Sequence, residues 1–197
     1  CAGGGDTTIK FPVKRTDVPA GTKAFTLTVT GLRGGHSGID IIEQRGNAIK
    51  ILARLLHRAT NAQPCHLVEL KGGNKRNAIP REAFAELMIL ETAVDEVAPL
   101  LEAEAEKIRI ELGGRERDLA VTLEPSETGH TKIMDEKTRK TLISLLLAMP
   151  HGVHAMSYDI PGLVETSNNL ATISTGPREV VIGTSTNDER RAKLKEY

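Results

Sequence analysis

The sequence contains very few aromatic side chains: three Phe, two Tyr and no Trp in 197 residues. Proteins that bind single-stranded nucleic acid stack bases on aromatic side chains, so this composition argues against that class. Lys and Arg together number 26, and so do Asp and Glu, which gives a formal net charge of zero. This balance argues against a role that depends on bulk attraction to a polyanion.

Long apolar runs and cysteines are also scarce. No apolar stretch approaches the roughly 20 residues that a membrane helix needs, and no signal peptide precedes the first predicted strand. The two cysteines, Cys1 and Cys65, do not form a disulfide framework. We therefore expect a cytoplasmic protein with neither nucleic acid nor a membrane as its partner.

The two ends of the sequence resemble cut points in a longer chain. The sequence opens with the glycine-rich "CAGGGD" and no initiator Met, and it closes with "DERRAKLKEY", which is typical of the first turns of a helix. A length of 197 residues suits one large domain or two small ones. We interpret the chain as an excised domain, with proteolytic processing as the alternative.

Hydrophobic periodicity predicts a strand followed by a helix. In "AFTLTVTG", Phe25, Leu27 and Val29 alternate with threonines, which is the pattern of a half-buried strand. Asp40 and Glu43 have the spacing of a capping box, which predicts a helix start just after the glycines that follow this strand. The apolar face of this helix comprises Ala48, Ile51, Leu52, Leu55 and Leu56.

The remaining elements complete an α+β pattern. "CHLVEL" and "EAFAELMIL" predict two antiparallel strands, a helix ends at the glycine pair 113–114, and "DLAVTLE" predicts the next strand. This is the βαββαβ order of ferredoxin-like folds. A second block adds a helix ending at Pro150, a loop "HGVHAMSYDIPG" and two strands, "LVETSNNLATIS" and "EVVIGTST". We expect one enlarged antiparallel sheet with its helices on one face.

The stretch "GLRGGHSGID", residues 31–40, is the most unusual part of the sequence. It fits neither the dinucleotide fingerprint nor the Walker lysine pattern, so the support for phosphate binding is weak. A simple glycine turn explains the glycines but not the pair His36 and Ser37. Both polar side chains are predicted beside a helix N-terminus, where anionic oxygen is favoured.

Other chemical sites receive little support from the residues alone. Pairs of histidine with a second ligand occur at short spacing, but glycine or proline keeps them in loops, so a complete metal site within this chain is not expected. No nucleophile elbow is present. The residues considered and set aside on these grounds are Ser37, Asp40, His57, Cys65, His66, His130, His151, His154 and Asp159.

Four separated motifs resemble one enzyme family. They are "GLRGGHSGID", "GGNKRNAIPREAF", "PHGV" and "DIPGLVETSNNLA", and together they span nearly the whole chain. They are similar to segments of the zinc aminoacylase and carboxypeptidase superfamily, and within it to the aminoacyl-histidine dipeptidases (Xaa-His or β-alanyl-histidine dipeptidases). Several motifs in the right order are far more specific than one short match.

The resemblance implies a lid, or dimerisation, domain of ferredoxin-like type. In that family this domain is inserted into a catalytic domain that holds two zinc ions. The resemblance assigns residues 1–20 to a linker from the absent catalytic domain, 21–185 to the lid and 186–197 to the start of a truncated helix. It implies no metal bound to this chain and no activity of the isolated chain. The expected partners are the catalytic domain of the same polypeptide, a second copy in a homodimer and a dipeptide substrate.

The resemblance also assigns roles to individual residues. His36 corresponds to a histidine that hydrogen-bonds the scissile carbonyl as negative charge develops, and Asn77 to a residue that orients the substrate. Further substrate-binding candidates are Glu165, Thr166, Ser167 and Asn169, in a segment near the cleft. The sequence departs from the family pattern at one position. The family has a substrate-binding Arg whose place falls near Thr186 in this chain, and its absence puts narrow Xaa-His specificity in doubt.

Two other functions stay open from the sequence. One is a stand-alone ferredoxin-like module that binds a small anion at the glycine turn or acts in regulation. The other is a purely structural assembly domain, in which His36 and Asn77 are expected to lie far apart. Convergence of these two residues on one open face favours the lid.

Overall fold

The computed structural model describes residues 3–188 of the chain. Three helices and twelve strands make up this part, together with three short 3-10 turns at Asp40–Glu43, Glu91–Ala93 and Gly113–Arg115. The helices are α1 Ala48–Ala62, α2 Val94–Leu112 and α3 Glu136–Ala148. The strands are β1 Gly3–Pro12, β2 Arg15–Asp17, β3 Thr22–Thr30, β4 Gly35–His36, β5 Cys65–Gly72, β6 Ala78–Ile79, β7 Ala83–Leu90, β8 Ala120–Pro125, β9 Lys132–Met134, β10 Gly152–Met156, β11 Val164–Thr175 and β12 Glu179–Asp188.

The predicted ferredoxin-like unit forms half of the main sheet. Along the chain its elements run β3-α1-β5-β7-α2-β8, and in space its strands lie in the order β5-β7-β3-β8. All three strand pairs are antiparallel. The α+β, ferredoxin-like prediction is therefore confirmed.

The second block enlarges this sheet at the β5 edge. Strand β11 pairs with β5, then β12 pairs with β11 and β1 with β12, while β10 pairs with the far end of β11. The result is an eight-stranded sheet. Its long β11–β12 hairpin carries the chain back to the end of the molecule where β1 begins.

The helices share one face of the sheet, as predicted. Helix α1 packs between α2 and α3 and contacts β3, β5 and β7, and the apolar side chains of all these elements belong to one core. Each large side chain buried there contributes on the order of 1.5–3 kcal/mol, against about 1–2 kcal/mol per residue for backbone ordering. The opposite face is partly covered by the small β2–β9 ribbon, whose Ile133 packs on Val68 and Met88.

Helix α1 begins later than predicted. The capping box expected from Asp40 and Glu43 is absent, since these residues form an isolated 3-10 turn that ends at Gln44 with φ +53°. Asn47 caps the helix instead, and its Oδ1 accepts from the backbone N–H groups of Ile49 and Lys50 at 3.0 and 3.2 Å. The carboxylate of Asp40 is engaged by other groups, described below, and is not available to a helix terminus.

Two segments predicted to lack regular structure belong to the sheet. Within the expected linker 1–20, Gly3–Pro12 forms β1 and pairs along its whole length with β12. Within the expected loop "HGVHAMSYDIPG", Gly152–Met156 forms β10. Strand β1 is stabilised by a partner at the other end of the chain and β10 by the next strand, β11, and neither has a clear alternating pattern of its own. At the other end, 186–188 belong to β12, and the rest of the predicted terminal helix lies outside the described residues.

Candidate functional site

The glycine-rich stretch after β3 makes a turn that only glycine fits. Gly34 has φ +61°, and a Cβ built on it would collide with the Cγ of Arg81 and lie 2.8 Å from its Cδ. Gly35 has φ +149°, and its Cβ would lie 2.6 Å from the Oδ2 of Asp40. Both the backbone conformation and the available space therefore require glycine immediately before His36.

His36 and Asn77 lie side by side in a two-stranded ribbon. Strand β4 pairs with β6, placing His36 opposite Ala78, and the N–H of Ser37 donates to the carbonyl of Asn77 at 2.9 Å. Both His36 and Asn77 are exposed. The structure thus places the backbones of these two exposed residues, to which the family resemblance assigns the main roles, next to each other.

The imidazole of His36 is oriented by its own turn. The backbone N–H of Gly38 donates to His36 Nδ1 at 3.1 Å. A ring nitrogen that accepts a hydrogen bond carries no proton, so the proton of the neutral ring sits on Nε2. The exposed side chain consequently presents an N–H donor to whatever faces it.

Asp40 and Arg45 hold the turn from behind. The N–H of His36 donates to Asp40 Oδ2 at 2.7 Å, and Arg45 Nη2 lies 3.3 Å from Asp40 Oδ1. Arg45 also donates to the carbonyl of Gly34 and to Glu43 Oε2, and its side chain is only 12% exposed. Sequence reasoning missed Arg45, although two acidic residues and an arginine within a short span were a visible sign of a local charge network.

Glu116 ties the turn to the start of α1. It is a buried residue, and its two carboxylate oxygens accept from the backbone N–H groups of Arg33 and Gly46, each at 2.8 Å. Hydrogen bonds to a buried carboxylate are among the stronger ones in proteins. This carboxylate therefore fixes both ends of the segment that contains His36, a role for which the sequence carried no signal.

The predicted residues on β11 lie deeper than His36 and Asn77. Asn169 is 1% exposed, and its Nδ2 donates to the carbonyls of Ala78 and Arg76 at 2.8 and 3.2 Å. It therefore holds the loop that carries Asn77. Ser167 is also buried, while Glu165 and Thr166 are half-buried. The structure brings β11 beneath the His36–Asn77 ribbon but places neither Asn169 nor Ser167 on its surface.

Comparison with known proteins identifies the group of proteins that this chain resembles. Residues 27–113 match the family described as "Peptidase dimerisation domain". The chain contains a peptidase dimerisation domain. It is 40% identical over 182 residues to the cytosol non-specific dipeptidase of Escherichia coli (strain K12), a match that covers 92% of this chain and 37% of that protein. The predicted resemblance to this group of dipeptidases is confirmed.

A solved structure extends the likeness to the whole fold. The aminoacylhistidine dipeptidase from Vibrio alginolyticus matches 100% of this chain with 36% sequence identity and a TM-score of 0.92. The matched part is 40% of that chain. The dimerisation domain described here thus spans about two fifths of the length of each of these two relatives.

The end of β12 closes one side of the site in this dimerisation domain. A Cβ built on Gly38 would lie 3.4 Å from Asn187 Nδ2, so the tip of β12 lies against the His36 turn. Thr186, where the resemblance placed an arginine, accepts a hydrogen bond from Asn168 Nδ2 at 2.7 Å. At the same end of the sheet Gly3 pairs with Asp188, so the two ends of the described chain lie next to each other.

His151 serves the interior of the domain. Its Nδ1 lies 3.2 Å from Asn47 Nδ2, whose amide also donates to the carbonyl of Leu170 at 2.8 Å. Burial, with smaller contributions from Lys50 and His154, lowers the pKa of His151 to about 4. Lys50 itself donates to three carbonyls at the end of α3, and burial lowers its pKa as well. His151 is a neutral structural residue at neutral pH.

The domain offers no metal site of its own in the described region. Residues 3–188 contain no group of three or more His, Cys, Asp or Glu side chains placed to hold a metal ion. Burial raises the pKa of the Cys65 thiol to about 12, so this cysteine is not a nucleophile at neutral pH. No helix in the described part of the chain is long and apolar enough to cross a membrane.

Proposed function

We propose that the chain is the lid and dimerisation domain of a cytoplasmic, metal-dependent dipeptidase. The observation that carries this proposal is the pairing of His36 with the strand that follows Asn77, with the exposed His36 ring held through its Nδ1 so that Nε2 is left as the donor. A purely structural assembly domain has no need for such a prepared donor. The E. coli relative is named a cytosolic protein, which supports the same compartment here.

His36 is proposed to stabilise the negative charge that develops on the scissile carbonyl of a bound dipeptide. A neutral imidazole with its proton on Nε2 is a suitable donor, and removal of one such donor typically costs about 10²–10³ in kcat. Asn77 is proposed to orient the substrate, since its amide both donates and accepts. Asn169 acts through Asn77 by holding its loop, and its burial keeps it from direct contact with substrate. Closure of the domain over the site excludes water.

The zinc ions are proposed to lie in another domain of the same polypeptide. The described residues do not fit a zinc site, because they contain no cluster of ligands. The contribution of this chain is therefore limited to hydrogen bonding, positioning and enclosure. The same reasoning leads us to propose that the isolated chain is inactive.

The proposed catalytic domain is assigned to the side of the molecule that carries His36. Strands β1 and β12 are paired at Gly3 and Asp188, beside the His36 turn. A body connected through this pair of strands would lie on the side of His36 and Asn77. We propose that this body is the catalytic domain, and that the dimerisation domain also pairs with a second copy of itself.

The proposed substrates are dipeptides, including those of Xaa-His type. The E. coli relative is named as non-specific and the Vibrio relative as an aminoacylhistidine dipeptidase, so the two names differ in breadth. Thr186 stands where an arginine was expected, and its hydroxyl is engaged by Asn168. This departure favours the broader substrate range.

The alternative is a stand-alone ferredoxin-like module with a regulatory or assembly role. The closeness of His36 and Asn77 speaks against a purely structural domain, for which no convergence is expected. A stand-alone module would contribute no catalytic donor, and this difference is open to a kinetic test.

The test replaces His36 in the longer enzyme to which the domain is proposed to belong. We expect His36→Ala to lower kcat for a dipeptide by about 10²–10³ with a smaller change in KM, because the donor acts on charge that develops in the transition state. His36→Gln, which keeps an N–H donor, should retain more activity.

The matched control is His57→Ala, an exposed histidine on α1 remote from the turn. It should leave kcat unchanged, and all variants should keep the wild-type melting temperature. Full kcat in a folded His36→Ala enzyme would refute the role proposed for His36.

A further inference from the structure

A cleft of about 530 Å³ lies beside the β4–β6 ribbon. We call it the basic cleft. It opens where β5 ends and β7 begins, and it shares Gly35 and Ala78 with the ribbon that carries His36. Its lining includes four cationic side chains, one carboxylate and the half-buried ring of Phe84.

The charges in the basic cleft are strongly one-sided. Four cations, Arg33, Lys71, Lys75 and Arg81, face one carboxylate, Glu82, so the formal charge of the lining is 4 − 1 = +3. The chain as a whole has a formal charge of zero. Positive charge is thus concentrated at this place, and a concave surface of one sign attracts counter-ions.

Three of these cations form no ion pair with the described part of the protein. Within residues 3–188 no carboxylate lies within 4.0 Å of the charged nitrogens of Lys71, Lys75 or Arg81. Arg33 lies 3.9 Å from Glu43, which is a weak contact. An anion placed among these side chains therefore supplies an attraction that no carboxylate of the described region already provides.

The backbone and the stem contacts place two of these side chains at the cleft. The stem of Arg81 lies directly on the backbone of Gly34, since a Cβ there would collide with Cγ and lie 2.8 Å from Cδ of the arginine. Lys71 is paired in register with Phe84, which is half-buried and lines the cleft. The planar guanidinium of an arginine offers two parallel donors to an oxyanion, while the lysines act as point charges.

We propose that the basic cleft binds a small anion with more than one negative charge, such as inorganic phosphate or a polycarboxylate. The shared chemistry is a compact group of anionic oxygens held by Arg81 and the two lysines. This site differs from the glycine turn considered in the sequence analysis, because that turn contributes only Arg33, while Lys71, Lys75 and Arg81 come from β5, the loop after it and the residues before β7. Its occupation does not depend on peptidase activity.

The test is a titration of the chain with sodium phosphate, followed by calorimetry at constant ionic strength set with sodium chloride. We expect saturable binding of one phosphate per chain and a rise in melting temperature with phosphate concentration, since a ligand that binds only the folded state stabilises it. The variant Lys71→Ala/Lys75→Ala/Arg81→Ala should bind at least about tenfold more weakly, because three charge-assisted contacts are lost.

The matched control removes three exposed cations elsewhere: Arg58→Ala/Lys107→Ala/Lys137→Ala changes the net charge equally. It should bind phosphate as the wild type does. Equal loss in both triple variants would show a bulk charge effect and would overturn the proposal, as would the absence of saturable binding to the wild type. The double variant Lys71→Gln/Lys75→Gln keeps Arg81 on Gly34 and should also bind phosphate more weakly than the wild type. It replaces the triple alanine variant in this test if that variant does not fold.

Other anions distinguish the possible ligands. Sulfate and citrate carry the same kind of charge, and tighter binding of citrate than of phosphate would assign the cleft to a polycarboxylate. Acetate, with a single charge, should bind at least about tenfold more weakly than either, because fewer cations are neutralised. Acetate binding as tight as phosphate binding would contradict a site built for multiple charges.

Discussion

Gly35 illustrates how one residue type makes the exposed turn possible. At φ +149°, with the Arg45 and Asp40 side chains against it, any side chain meets both backbone strain and collision. The Asp40 carboxylate and the Arg45 guanidinium hold the turn through their hydrogen bonds, so they cannot move aside for a side chain without breaking those bonds. The glycines before His36 therefore make possible the hydrogen bonds that orient the His36 turn.

Replacement of Gly35 by alanine should destabilise the fold locally. We expect Gly35→Ala to lower the free energy of unfolding by about 1–3 kcal/mol, the usual range for a residue forced into a sparsely populated conformation. Denaturant unfolding followed by circular dichroism measures this change. Gly129→Ala is the control, because a Cβ at that position would meet no atom within 4 Å and its φ is not in the left-handed region. It should be neutral or slightly stabilising.

A Gly35→Ala variant as stable as the wild type would show that the turn relaxes freely. In that case the network of Asp40 and Arg45 would not define the position of His36. The exposed turn would then be less well prepared for a partner than proposed here.

At the scale of elements, some of the fold was predictable because local patterns and tertiary packing agree. The alternation of Phe25, Leu27 and Val29 and the apolar face of α1 both correspond to buried positions. Where a tertiary contact competes with a local signal, the prediction failed. Asp40 has the right spacing for a capping box, but its carboxylate bonds the N–H of His36 and Arg45, and the helix is capped further along the chain.

The candidate site was predictable only in its exposed part. His36 and Asn77 were identified from motifs, and the pairing of β4 with β6 places their backbones next to each other; their roles stay predictions. The structural roles of Glu116 and Asn169 could not be predicted, because their partners are backbone groups of remote segments, which leave no mark in the sequence. Strand β1 was missed for a similar reason, since its pairing partner, β12, lies at the other end of the chain.

Glu116 connects the turn to α1, so its loss should affect both elements. Glu116→Gln keeps the shape of the side chain but replaces one accepting oxygen with an amide N–H₂, so that two donors face each other at one of the two backbone N–H groups. We expect a decrease of about 2–4 kcal/mol in the free energy of unfolding, because a charge-assisted bond is lost and a buried donor is left unsatisfied. Chemical denaturation measures it.

The control for this element is Glu127→Gln, an exposed glutamate in the loop after β8. It should change stability by less than about 0.5 kcal/mol. Equal stability of the wild type and Glu116→Gln would mean that the carboxylate does not hold Arg33 and Gly46 in solution.

At the scale of the whole molecule, the enlarged sheet joins two halves through buried polar contacts beneath its helices. Asn47 is central to this junction, because it caps α1, donates to the carbonyl of Leu170 on β11 and contacts His151. Lys50, in the first turn of α1, donates to carbonyls at the end of α3 and just after it. The ferredoxin-like half and the second block are thus connected at the same end of α1 that follows the His36 turn.

His151 makes the stability of this junction depend on pH. Its pKa is about 4 in the folded state and near 6.5 when unfolded, so the unfolded chain binds more protons between these values. Stability from this group is fully present above pH 6.5 and is lost as the pH falls toward 4, by up to about 3 kcal/mol. His151→Gln, whose amide oxygen still accepts from Asn47, does not titrate. Urea unfolding from pH 7.5 to 4 should therefore give a flatter curve for the variant, with the difference from wild type developing below pH 6.5. Parallel curves for the two proteins over this range would contradict the burial of a neutral His151, and His57→Ala, which removes an exposed histidine, should follow the wild type.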